Sequence, residues 1–221
     1  MNFLLINSNE NDAFASVYFN DKLRVVRASE FKSDEIPKAG RSPDKLINCL
    51  AALRENFDFG IIDAISVTTG PGSFTGIRVG LSFAKGISAA TGKPIIPINS
   101  FDLQFERIQD KSIENKYCIL IAAKPPEYYY AIYENNNQSK TGSGTIEEIA
   151  SICAENTILV ANFDNESVIK HPYFAVLDLN NSTLKEHNAM LALSQRYFSE
   201  GRLFPPERVE PVYIKEFIIK S

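Results

Sequence analysis

The sequence predicts an α/β protein built of two lobes, residues 1–100 and 101–221, and three observations lead to it. Each half opens on strand patterns, residues 2–7, 13–19 and 23–28 in the first and "YCILIAA" with "YYYAIYE" in the second. Each opening set is followed by alternating helical and extended patterns, so the second half partly echoes the first. A chain of 221 residues is long enough to bury real core in two small lobes.

Taken in order, residues 2–7 form a short apolar run. Residues 13–19 and 23–28 flank the two-residue turn Asn20-Asp21, whose side chains tolerate left-handed backbone. "RSPDKLINCLAAL" predicts a helix, with Ser42 as N-cap, Pro43 at the first position and Leu46, Ile47, Leu50 and Leu53 as its apolar stripe. "IDAISVTTG" predicts a strand. Ser73 or Thr75 caps a helix running to about Ala90, and "GKPIIPIN" stops it and begins a strand. In the second half, "TIEEIASICAE" predicts a helix with Glu147 and Glu148 facing solvent. "TILVAN" and "FAVLDL" predict strands, and "LKEHNAMLALSQRYFSEG" predicts a helix closed by Gly201. Tyr128, Tyr129, Tyr130 and Tyr133 are expected to pack, and residues 134–144, "ENNNQSKTGSG", to form a polar loop.

Hydrophobic content of 44% and charged content of 23% exclude wholesale disorder. A net charge of −4, with Lys and Arg scattered, argues against a chain that grips a nucleic-acid backbone unaided. Any RNA chemistry would take its phosphate contacts from a partner. Cys49, Cys118 and Cys153 are widely spaced in apolar surroundings, the pattern of reduced core thiols. His171 and His187 lie far apart, in expected surface or loop positions, and give no metal-ligand spacing. The opening residues lack a secretory pattern and no run reaches the length of a membrane span, so a cytosolic chain is expected.

The densest stretch is "TTGPGSFTGIRVGLSFAKG", residues 68–86. It fits neither standard glycine-rich nucleotide fingerprint. Ser73 does not sit in the G-x-S-x-G pattern of a nucleophile elbow, so helix capping is its expected role. Gly76, Gly80 and Ala84 recur every four residues and give the helix one face of almost no volume. A glycine inside a helix costs roughly 1 kcal/mol relative to alanine. Such a face implies close approach by another backbone, either the chain's own sheet or a partner helix.

Two lobes that each open with paired strands resemble the actin-like ATPase fold of sugar kinases and heat-shock ATPases, an α/β, ribonuclease H-like architecture. That resemblance implies a nucleotide between lobes, phosphates held by the two opening hairpin turns, and an aspartate at the end of the first strand. Here the strand ends on Asn7, which lacks the charge that recruits magnesium. The second turn carries Pro125 and Pro126, which offer no N–H to an anion, beside Lys124.

The stretch "GPGSFTGIRVGLSFAKGISAATGKPIIPINS" closely resembles the signature of the bacterial TsaB family of tRNA threonylcarbamoyladenosine biosynthesis proteins. "LLINSN", "IAAKPPEYYYAIY" and "YFSEGRLFPPERVEPVYIKE" resemble its opening strand, second hairpin and tail. The resemblance implies a pseudo-enzyme without catalytic residues or cofactor. It would support the homologous catalytic subunit TsaD through N-lobe helices, with the ATPase TsaE joining, tRNA bound only through the complex, and self-association when alone. The last helix, about 184–200, would pack back on the first lobe. The implied contact residues are Leu46, Leu50, Gly72, Ser73, Phe74, Thr75, Gly76, Arg78, Gly80 and Ala84. On that reading Gly80→Leu leaves the free chain folded and blocks assembly. This chain departs from the family pattern at Asn7, Ser42-Pro43-Asp44 and Ala122-Ala123-Lys124. An active kinase or ATPase of the same fold is the competing reading, and a peptidase a third.

Overall fold

A computed structural model describes residues 1–8, 13–30, 42–153, 156–161, 175–179 and 184–214. The chain divides into two units, Met1–Ser100 with His187–Val212, and Phe101–Glu186 with Tyr213–Ser221.

The first unit contains β1 (Phe3–Asn7), β2 (Phe14–Phe19), β3 (Lys22–Arg27), α1 (Ser42–Arg54), β4 (Ala64–Gly70), α2 (Phe74–Thr91) and β5 (Ile95–Asn99). Its sheet runs β3-β2-β1-β4-β5, antiparallel through β3, β2 and β1 and parallel through β1, β4 and β5. Asn20 and Asp21 both take positive φ, as a two-residue hairpin requires. β1 is buried on both faces, which explains an unbroken apolar run where a half-buried strand would alternate. Leu4, Ile6, Ile65 and Val67 face α1 and α2, where Leu46, Leu50, Leu53, Ile77, Leu81 and Ala84 complete the core. Ile47, expected in the α1 stripe, is instead 46% exposed. It follows Leu46 directly, and only one of two adjacent helical positions can point squarely at the sheet.

The chain returns to this unit through α5 (Glu186–Ser199), whose Phe198 meets Phe3 edge-on at 5.5 Å. Gly201 follows in the left-handed conformation. Phe204 exchanges both backbone hydrogen bonds with Ile95, and the Val212 N–H donates to the Thr69 carbonyl.

The second unit begins in α3 (Ser100–Glu106), which has no counterpart among the expected elements. It continues through β6 (Lys116–Ala122), β7 (Tyr128–Glu134), β8 (Asn137–Gly144), α4 (Ile146–Ile152), β9 (Thr157–Ala161) and β10 (Ala175–Asp178). The second sheet runs β10-β9-β6-β7-β8, with β6, β7 and β8 antiparallel and β6, β9 and β10 parallel. The tyrosines of β7 alternate: Tyr128 and Tyr130 pack on the α4 side, Tyr129 and Tyr133 on the other.

Residues 137–144, expected as loop, are the edge strand β8. Asn135 and Asn136 take positive φ in the hairpin turn. A strand exposed along most of its length needs no apolar alternation, which is what hides it in the sequence. Gly142 lies opposite Tyr130, and a side chain there would strike the phenol ring. Thr145 and Glu148 close a reciprocal capping box on α4.

Candidate functional site

The end of β1 meets the start of α2, and the chain itself engages the polar groups there. The Thr68 hydroxyl on β4 donates to Asn7 Oδ1 at 2.9 Å, with both residues buried. The Ser8 hydroxyl donates to the Gly76 carbonyl at 2.6 Å. Ser73 caps α2, its hydroxyl accepting from the Gly76 N–H at 3.1 Å. Among the described residues the strand end is therefore neutral and hydrogen-bonded, where a metal-bound nucleotide would call for a carboxylate. At the second turn Lys124, Pro125 and Pro126 lie near solvent, and the Glu127 N–H donates back to the Lys124 carbonyl. Among the described residues no three His, Cys, Asp or Glu side chains stand together as a metal-binding group. No helix among them is long and apolar enough to cross a membrane.

The structure sorts the ten sequence-derived contact residues into two sets. Leu46, Leu50, Gly76, Gly80 and Ala84 are buried within their own unit. A side chain at Gly76 would run into the Ser8 carbonyl oxygen, and one at Gly80 into the Ser8 hydroxyl, with Val67 at 3.5 Å. The small face of α2 thus lets the end of β1 approach the helix. Of the two occupants that the sequence leaves open, this is the internal one. Ser73, Phe74, Thr75 and Arg78 point outward, and Gly72 is half-buried. The Arg78 guanidinium lies 3.7 Å from the Phe74 ring centroid, a cation–π contact. Ser82 continues this outer face, and Ile47 is exposed on α1.

His187, expected at the surface or in a loop, falls inside the helix predicted from Leu184 and is partly covered. It sits in the first turn of α5, half-buried, with Nδ1 3.0 Å from an Arg27 guanidinium nitrogen and its ring edge-on to Phe14. His171 and the side chain of Ser42 lie outside the described residues. Cys49 and Cys118 are buried, Cys153 is half-buried, and all three are free thiols.

The fold is that of the two-lobed actin-like proteins. A Pseudomonas aeruginosa structure described as similar to peptidase YeaZ (TsaB) superposes with a TM-score of 0.73 at 17% identity, covering 97% of this chain and 99% of that one. A Bacteroides thetaiotaomicron protein with an actin-like ATPase fold gives a TM-score of 0.51 at 11% identity, over 86% of this chain and 95% of that one. The chain belongs to the family described as TsaD, tRNA N6-adenosine threonylcarbamoyltransferase, whose profile matches residues 45–167. A protein of that name from Clostridium botulinum (strain 657 / Type Ba4) is 33% identical over 136 residues, 56% of this chain. The match spans 40% of that relative's length.

Proposed function

We propose that this chain is a non-catalytic subunit in the threonylcarbamoylation of the adenosine beside the anticodon of tRNA, acting in the cytoplasm by binding a catalytic TsaD-type subunit. The observation that carries the reading is the uncharged pair at the end of β1, where Asn7 accepts from Thr68 and Ser8 donates to Gly76. Family membership supports the pathway, and the neutral strand end argues for a supporting role within it. The outer face of α2, with Phe74, Arg78 and Ser82, is the proposed contact surface, together with Ile47 of α1. A small ATPase of the TsaE type would join the assembly, and tRNA would bind only through the complex.

The test is to mix the chain with its cognate catalytic subunit and measure mass by light scattering after size exclusion, with ATP turnover recorded for each component alone. The expected result is a complex, no turnover by this chain alone, and at least a tenfold weaker complex for Arg78→Glu or Ile47→Asp with folding intact. A tenfold loss corresponds to about 1.4 kcal/mol. ATP hydrolysis by the isolated chain would overturn the reading in favour of an active ATPase. Full-strength assembly by both variants would place the interface elsewhere. Self-association of the free chain through the same face should weaken in the same variants.

A further inference from the structure

The core under α4 contains a feature that the proposed scaffold role does not use. Cys118 lies mid-strand in β6, opposite Ile132 of β7 and Leu159 of β9, and Ile132 in turn lies opposite Lys140 of β8. Register partners point to the same face of a sheet, so Leu159, Cys118, Ile132 and Lys140 form one row on the face that α4 covers. On α4, Ile146 and Ile149 face that row, and Cys153, four residues after Ile149, continues their stripe. Cys153 is the C-cap, anchored by its N–H to the Ile149 carbonyl at 3.1 Å. Cys153 packs against the same core cluster that holds Cys118, which makes the two thiols neighbours between α4 and the sheet. Cys118 is fully buried and Cys153 is half-buried, so one sulfur is reachable from solvent and the other is behind it.

We propose that Cys153 and Cys118 form a peroxide-responsive thiol pair, in which Cys153 is oxidised first and Cys118 then closes an intramolecular disulfide. The neighbouring Cys118 thiol and the charge of Lys140 lower the Cys153 pKa, outweighing its burial. The thiolate is the nucleophile in such chemistry. The same contact, with burial, holds Cys118 protonated well above an ordinary thiol. Among the described residues, Tyr128 and Tyr130 of β7 also face this cluster, and the Tyr130 pKa is raised by burial and by the two sulfurs.

The steps balance. The Cys153 thiolate attacks one oxygen of a peroxide, the O–O bond breaks, and the departing hydroxide takes a proton and leaves as water, giving a sulfenic acid. Oxidation removes the negative charge that raised the Cys118 pKa. Cys118 then attacks the sulfenic sulfur, the S–S bond forms, the S–O bond breaks, and hydroxide leaves with the Cys118 proton as a second water. Both sulfurs are oxidised and the peroxide is reduced.

The experiment treats the reduced full-length chain with hydrogen peroxide, counts thiols after denaturation, and maps peptides by mass without reductant. Titratable thiols should fall from three to one, with Cys49 spared and the Cys118 and Cys153 peptides joined. In Cys118→Ala the reaction should stop at a Cys153 sulfenic acid that dimedone traps. The pH profile of Cys153 alkylation should move upward in Cys118→Ala and in Lys140→Gln. The latter changes only an exposed side chain and keeps the test valid if the former misfolds. Retention of all three thiols, crosslinks between chains only, or an alkylation profile unmoved by Lys140→Gln would overturn the proposal.

Discussion

Two alanine substitutions in α2 should have opposite signs. Gly76 and Gly86 both lie within the helix, so replacing either by alanine gains up to roughly 1 kcal/mol of helix propensity. At Gly86 nothing lies within 4 Å of the new methyl group, so the gain is kept. At Gly76 the methyl overlaps the Ser8 carbonyl oxygen, with the Ser8 carbonyl carbon at 3.0 Å and Ser73 Oγ at 3.1 Å. The obstacle is main chain at the end of a central strand, which cannot rotate aside as a side chain would. Overpacking of this kind costs about 1–3 kcal/mol. Pushing β1 away from α2 also lengthens the bond from Ser8 Oγ to the Gly76 carbonyl, 2.6 Å in the structure, and leaving buried partners unpaired costs about 1–3 kcal/mol. The net expectation is a loss of about 1–5 kcal/mol for Gly76→Ala, against a gain of up to about 1 kcal/mol for Gly86→Ala.

Urea denaturation followed by circular dichroism reads both, and the change in thermal midpoint should be about 2–4 °C per kcal/mol for a chain of this size. Hydrogen exchange should place the Gly76→Ala loss in the first unit. If Gly76→Ala is as stable as Gly86→Ala, α2 does not owe its small face to β1, and the internal-packing account fails.

Two further substitutions probe the same junction. Gly80→Leu should destabilise the free chain, because its side chain would meet the Ser8 hydroxyl and Val67; a folded Gly80→Leu chain that only loses partner binding would restore the expectation drawn from the sequence. Asn7→Asp should cost stability in a pH-dependent way. Burial raises a carboxyl pKa above its unfolded value of about 3.9, so the unfolded state releases its proton first as pH rises. The variant should therefore fall furthest behind wild type above the raised folded pKa and recover below about pH 4, and a gap in urea midpoint that does not change with pH would refute this.

Elements with strong local signals are legible in the sequence: the β2–β3 turn at Asn20-Asp21, the Ser73 cap, and Gly201 after α5. Each depends on a residue type whose backbone preference acts locally. β8 is not legible, because an exposed edge strand shows neither alternation nor apolar content. The two asparagines that turn into it sit in a polar run that also reads as loop. His187 escapes for a different reason. Its partners Arg27 and Phe14 are 160 and more residues away, and no local pattern reports them.

The candidate site divides along the same line. Sequence spacing shows that α2 has a small-residue face, since a repeat of four is a property of the helix alone. Which neighbour occupies that face is a tertiary fact. Buried Gly76, Gly80 and Ala84 turn toward β1 and the core, while Phe74, Arg78 and Ser82 turn outward on the same helix. A partner can be recognised only by the outward set, so substitutions of the inward set test folding and substitutions of the outward set test assembly. The cysteines show the limit most clearly. Cys118 and Cys153 are far apart in sequence, and only the β6–β7–β8 register and the α4 stripe bring a buried thiol, a half-buried thiol and a lysine to one place.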